Sequence, residues 1–391
     1  MHPDETQDVA ELSAPGRERR SYAVVSTYPP TPCGVATFSA ALCDGIAGNG
    51  DDVTVVQVGD AYGPRDRRVM AQLSDHDPRP SVEVLRALGR ADVVIVQHEY
   101  GLYAGQDGDS VVALLDAIDV PSIVVAHTVL RLPTPHQQAV LEAVAASAGA
   151  VVVMTEAGRD RLLTGYDVDP TKVVVIPHGA AVTQAAERHA PPTNDLLTWG
   201  LLGPGKGIEW AIDALALLQD LRPSITYRVA GDTHPKVAAA HGDAYRDMLR
   251  RRAGDAGVAA SVSFDAGYRG LGALAELIAS TSIVVLPYDS PDQVTSGVLV
   301  DAVAAGRPVV ATAFPHAVEL LASGAGLVVP RRDPAALAAA LRRVLTDPGL
   351  ADAMAAEARR LAPALAWPAV ASRYGALGDA LLDRSLALTT R

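Results

Sequence analysis

Leu197-Thr198-Trp199-Gly200-Leu201-Leu202-Gly203-Pro204-Gly205-Lys206-Gly207 passes from an apolar, β-prone run into a glycine-rich turn. A strand that ends in such a turn and re-enters as a helix opens a βαβ unit. The turn also tests a nucleotide-binding reading. Gly200 and Gly205-Lys206 satisfy G-x-x-x-x-G-K, but Gly207 stands where a P-loop needs Ser or Thr to hold Mg²⁺. The ATPase reading therefore fails. The lysine itself is informative: the chain has three, Lys172, Lys206 and Lys236, among 33 basic residues. A lysine in a Gly-rich turn before a helix reads as a point charge aimed at a phosphate.

Outward from this turn, short β-branched runs alternate with Ala/Leu-rich stretches of helical period, the pattern of parallel sheets. The first half predicts strands at Tyr22–Ser26, Val53–Val58, Val93–Gln97, Ser122–Ala126, Val151–Met154 and Val173–Ile176. The second predicts strands at Leu197–Leu202, Thr226–Ala230, Val262–Phe264, Ile283–Pro287, Val309–Thr312 and Gly326–Val329. Ala180–Asn194, with Pro191 and Pro192, suits a linker. Residues 1–20 are polar and read as a flexible arm. The expected fold is α/β: two Rossmann-like, doubly wound domains, 21–185 and 186–366, facing a cleft. In residues 367–391, Val370, Tyr374, Leu377 and Leu381 mark an amphipathic helix, expected to cross back to the first domain.

A chain of 391 residues accommodates two such domains, and its net charge of −12 argues against broad nucleic-acid binding. Cys33 and Cys43 fit neither a disulfide framework nor a metal spacing and read as reduced thiols. The longest apolar runs are too short to span a bilayer. With no apolar signal core at the N-terminus, the expected location is cytoplasmic. No strongly basic amphipathic helix stands out, though peripheral membrane contact stays open. Oligomeric state is not readable.

Five further motifs fall at strand ends, where ligands of doubly wound sheets bind. Tyr28–Thr37 carries Gly34 before a helix whose free N–H groups suit an anion. Gln97-His98-Glu99-Tyr100-Gly101, His127-Thr128 and Pro177-His178-Gly179 bring polar groups toward the cleft. Gln293-Val294-Thr295-Ser296-Gly297 precedes an apolar helical run, so Thr295, Ser296 and Gly297 can cap that helix and offer its N–H groups to phosphate. Asp301 follows. The eight-residue offset places Gln293 and Asp301 along one side of the helix entry, Asp301 two turns deeper. Each motif also has a plain reading, as a βα turn, a hinge or a capped core helix.

Together these residues resemble the retaining glycosyltransferases of family four, which have the GT-B fold. The most specific parts are Gly200–Gly207 and Gln293–Val310, which ends Gly-Arg-Pro-Val-Val. The resemblance implies that Gly34 lies near donor and acceptor. It further implies that His127 approaches the transferring sugar and that Lys206 binds the donor diphosphate. His98, Glu99, Tyr100 and His178 then face the cleft or the acceptor. Two departures stand out. Leu201 replaces an arginine common in the family, and Gln293 and Asp301 replace two glutamates that meet donor sugar and ribose. The implied reaction moves a hexose to a saccharide or glycoside acceptor, without cofactor or metal. GDP-mannose is the first expected donor and a UDP-hexose the second. A nucleotide-sugar epimerase on the same scaffold and a non-catalytic nucleotide-sugar-binding protein are the rivals. Glu99 is the nearest carboxylate to a covalent nucleophile.

Overall fold

The computed structural model describes residues 18–31, 33–59, 66–77, 79–182, 194–221, 225–267 and 270–389. Most of the expected arm and linker lies outside them, as does Pro32 of the Tyr28–Thr37 motif. Two wholly parallel sheets run through the described residues. The first contains β1 (Ser21–Ser26), β2 (Asp52–Val58), β3 (Val69–Leu73), β4 (Val93–His98), β5 (Ser122–Ala126), β6 (Ala150–Val153) and β7 (Val173–Val175), in the order β3-β2-β1-β4-β5-β6-β7. The second contains β8 (Asn194–Trp199), β9 (Ile225–Ala230), β10 (Val262–Asp265), β11 (Ile283–Leu286), β12 (Val309–Thr312) and β13 (Gly326–Val329), in the order β10-β9-β8-β11-β12-β13.

The strand sequences explain the layering. Val93-Val94-Ile95-Val96 is apolar on both faces and fully buried, so helices must cover both sides of the sheet. Strand order reverses between β1 and β4, and again between β8 and β11. Each reversal splays the flanking βα loops apart and leaves a crevice at the carboxyl ends of the strands.

β3 was not anticipated. It is a short edge strand with Met70 52% exposed and Gln72 half-buried, and its register to β2 slips between Val55 and Val56. An edge strand with a bulge lacks the continuous apolar run by which its neighbours are read. β8 also begins and ends three residues earlier than expected, so Gly200–Leu202 belongs to the turn.

The helix Trp367–Thr389 lies along Gly34–Gly48 of the first half. Val370, Ala371, Tyr374 and Leu381 are buried there with Tyr22, Phe38, Leu42 and Ile46. Glycines make the approach possible: a Cβ at Gly45 would stand 2.9 Å from the Cβ of Ala371, and one at Gly378 2.8 Å from the Tyr22 hydroxyl. Burying side chains of this size contributes roughly 1.5–3 kcal/mol each. The chain thus passes between the halves twice, side by side. Ala180 N–H donates to Leu365 O at 2.8 Å, and Trp367 N–H to Ala180 O at 3.3 Å. Among the described residues no helix is long and apolar enough to cross a membrane.

Candidate active site

The turn after β8 is built around glycine. Gly207 has φ +64°, and a Cβ there would stand 1.8 Å from Pro287 O, so any side chain would push the turn off the loop that follows β11. That loop is tied back by Asp289 N–H, which donates to Gly205 O at 2.9 Å. Lys206 lies between the two segments, its Nζ 4.3 Å from the Tyr288 ring centroid. Among the described residues no carboxylate pairs with it. The aromatic face holds an ammonium without neutralising it.

The helix Gly297–Ala304 starts where the Thr-Ser-Gly signal placed it. Ser296 is the cap, its Oγ accepting from Leu299 N–H at 3.3 Å. Its own N–H donates to His316 Nδ1 at 2.8 Å. The N–H groups of Gly297 and Val298 have no acceptor among the described residues and remain able to bind an anion. Gln293 stands in the loop before the helix and not along it, which corrects the two-turn spacing expected from the offset to Asp301. Its Nε2 donates to Thr295 O, so the amide is folded onto its own loop. Asp301 lies on the helix. Among the described residues no cation pairs with its carboxyl group, and burial pushes its pKa up to about 7.

On the first half, strand parity separates two histidines that looked equivalent. Ile123 and Val125 of β5 pack on the sheet face that carries Phe38 and Trp367, and His127 continues that face. Its ring meets the edge of Phe38 at 4.9 Å, and its Nε2 donates to Gln97 Oε1 at 2.6 Å, leaving Nδ1 as an acceptor. Burial, with His178 and His98 nearby, lowers its pKa to about 3, so the ring is neutral. His98 has the parity of Val94 and Val96, on the opposite face. It is 1% exposed, stacks edge-on with Tyr100 at 5.2 Å, and its two ring nitrogens have no partner among the described residues. The expectation that His98 and Tyr100 line the cleft is therefore corrected. Both belong to the packed layer behind it. Glu99 is half-buried, and both its oxygens are occupied: one accepts from Thr128 Oγ1 at 2.6 Å, the other from Tyr100 N–H at 3.1 Å. A carboxylate so held is a poor covalent nucleophile.

His178 reaches across the cleft. Its Nδ1 donates to Gly179 O at 2.6 Å, and its Nε2 lies 2.9 Å from where a Cβ would stand at Gly297. The Gly34 turn is open: the residue is exposed, and among the described residues no atom beyond its chain neighbours and its own helix backbone lies within 4 Å of its Cβ position. Three residues not singled out in the sequence also shape the site, two of them by joining the halves. Glu319 accepts from the N–H groups of Glu156 and Ala157, each at 2.9 Å, capping a helix of the first half with a carboxylate of the second. Arg161 donates to Asp292 O and Val129 O, both at 3.0 Å, and so holds the Gln293 loop. His316 is the third, bound to Ser296 as above. Each pairs with a residue 20 to 163 positions away, beyond the reach of any local motif.

Residues 32–184 match the family described as Glycosyltransferase Family 4 and residues 193–347 that described as Glycosyl transferases group 1, together more than three quarters of the chain. The chain belongs to the family 4 glycosyltransferases. Its relatives include D-inositol 3-phosphate glycosyltransferases from Jonesia denitrificans, 29% identical over 73% of this chain and 70% of the relative, and Kineococcus radiotolerans, 29% identical over 66% of this chain and 65% of the relative. The chain thus spans about two thirds of the length of these relatives. Anabaena HepE in complex with UDP and glucose superposes with a TM-score of 0.70 at 16% identity, covering 92% of this chain and 99% of that one. Sucrose-phosphate synthase from Thermosynechococcus elongatus gives 0.73 at 19%, covering 94% and 100%. The fold of this glycosyltransferase is GT-B, as its sequence implied.

Proposed function

We propose that this glycosyltransferase moves a hexose from a nucleoside diphosphate to an acceptor hydroxyl, with retention at the anomeric carbon and without a metal. The observation that carries this reading is the cluster on the second half: an unpaired Lys206 ammonium, the open N–H groups of Gly297 and Val298, and the unpaired Asp301 carboxyl. Cleaving the anomeric C–O bond leaves negative charge on the departing phosphate. Lys206 and the helix N-terminus, fixed before the reaction, stabilise that charge as it forms. Asp301 accepts from a ribose hydroxyl. Gln293, through its Oε1, meets the hexose.

His127 contributes as a neutral ring. With Nε2–H committed to Gln97, its Nδ1 accepts from a sugar hydroxyl and orients the hexose. The acceptor oxygen forms its bond to the anomeric carbon on the face that the phosphate leaves, and its proton passes to the departing phosphate oxygen. The engagement of both Glu99 oxygens supports this front-face route over a covalent intermediate.

For the donor, the UDP bound in the HepE structure favours a UDP-hexose over GDP-mannose. Thermal-shift titration with UDP-glucose, GDP-mannose and their nucleoside diphosphates, with and without EDTA, tests the reading. A ligand at 100 times its Kd stabilises by about 2.7 kcal/mol. The UDP series should raise Tm equally in EDTA. A shift confined to GDP-mannose, or one abolished by EDTA and restored by Mg²⁺, would overturn the donor assignment or the metal-free mechanism respectively.

A further inference from the structure

Thr233-His234-Pro235-Lys236 has no part in the site so far. It follows β9, and its backbone is stitched to the turn after β8: Leu202 N–H donates to Asp232 O and His234 N–H to Leu202 O, both at 2.8 Å. Gly203 packs on the same segment, a Cβ there standing 3.2 Å from Val237 Cγ2. Residue 201, where the family commonly has an arginine, therefore lies beside the segment that ends in Lys236.

The three lysines divide by role. Lys172 Nζ donates to Ala145 O and Ala146 O, at 3.2 and 2.6 Å, and so satisfies the end of the helix Pro135–Ser147. Lys206 rests over Tyr288. Lys236 extends from the second half to the first, where its Nζ lies 3.0 Å from the Cβ position of Gly101, in the loop after β4. Among the described residues neither Lys206 nor Lys236 has a carboxylate within 4.0 Å. The chain carries 45 acidic residues, so two ammonium groups left unpaired around one cleft mark an anion site. Both also act on His234, whose pKa is lowered by burial and then by Lys236 and Lys206.

We propose that Lys236 is the second cation of the donor diphosphate site, reaching the phosphates from β9 in place of the arginine absent at Leu201. The inference rests on the donor reading above. His234 sets the geometry: its Nδ1 accepts from Lys236 N–H at 3.2 Å, fixing the start of the segment. Gly101 leaves space on the far side, because any side chain there would meet the ammonium. The bound diphosphate is then held from two adjacent strands of one sheet and lies against the β4 loop of the other half.

Calorimetric titration of UDP and GDP into wild type, Lys236→Gln, Lys206→Gln and the double variant Lys236→Gln/Leu201→Arg tests this. Lys236 is exposed, so its replacement should leave Tm unchanged. Losing a hydrogen bond to a charged group should weaken binding about 10- to 100-fold, and Leu201→Arg should recover most of that loss. Wild-type affinity in Lys236→Gln would overturn the inference while leaving the donor reading intact. So would an effect confined to the acceptor KM, which would assign Lys236 to an anionic acceptor. A wild-type protein that binds neither nucleotide would remove the donor reading and this inference with it.

Discussion

Asp301→Asn separates stability from binding at one position. Asp301 lies on the largely buried helix Gly297–Ala304, and desolvation alone raises the pKa of its carboxyl from 3.8 to about 7. A rise of this size corresponds to about 4 kcal/mol of cost for the charged form; the side chain keeps some solvent access, which trims it to roughly 2 kcal/mol. Because the folded-state pKa is raised, the folded protein binds the proton more tightly than the unfolded chain. That stability is fully present below about pH 3.8 and is lost as pH rises through 7. Asparagine imitates the protonated acid. The substitution should be nearly neutral at about pH 3 and stabilising at about pH 8, by roughly 4–8 °C in Tm at about 2–4 °C per kcal/mol. The same variant should bind UDP more weakly, because an amide oxygen is a poorer acceptor for ribose than a carboxylate. Scanning calorimetry at about pH 3, 5 and 8, paired with UDP titration, measures both. A variant less stable than wild type at pH 8, or one whose gain is independent of pH, would refute the claim that this carboxylate is buried without a partner.

Lys206→Ala should lower turnover about 10²- to 10³-fold, the loss typical of a preorganised charge stabiliser. Tm should stay unchanged, and near-wild-type kinetics at saturating donor would remove the assignment. Gln293→Ala should weaken binding of the nucleotide sugar while sparing free UDP, which calorimetry can resolve; equal losses for both ligands would show that Gln293 does not read the sugar. Burial lowers His98 and His178 to about 4 and His127 and His316 to about 3. Their depressed values give stability that is present above pH 6.5 and lost as pH falls toward 4, by up to about 1.4 kcal/mol per pH unit for each ring. His98→Phe should therefore flatten the decline of Tm between pH 6.5 and 4.5, and an unaltered acid slope would contradict its being buried neutral.

The parallel sheets were legible because strands covered on both faces are written as unbroken apolar runs, and βα turns at the switch points need glycine or a helix cap. Gly200–Gly207 supplied the glycine and Thr295–Gly297 the cap. The β4 and β5 histidines misled because proximity to a strand end was weighed without counting parity. Applied to Val94, Val96 and His98 against Ile123, Val125 and His127, the two-residue period assigns the rings to opposite faces. Gln293 was misplaced although its correction was already in the sequence, since a Ser cap at 296 cannot have helix before it. Glu319, Arg161 and His316 were not legible at all. The first two act only once the halves meet, His316 only once the helix after β12 meets the Ser296 cap, and nothing in the neighbourhood of Arg161 signals a loop 131 residues further on.

The return of Trp367–Thr389 to the first half also governs how this enzyme can be made. A ribosome releases the first half, through Ile176, long before the residues that complete its core. Translation at about 5–20 residues per second puts roughly 10–40 s between Ile176 and Val370. Throughout that interval the groove beside Gly45 lacks Val370, Ala371, Tyr374 and Leu381, and leaves Phe38, Leu42 and Ile46 uncovered. The second half, whose core draws on Leu196 through Leu365, can close before the first is finished. Nascent chains arrested near residue 366 should thus present an apolar trough that a chaperone can occupy, and release should follow emergence of the last helix.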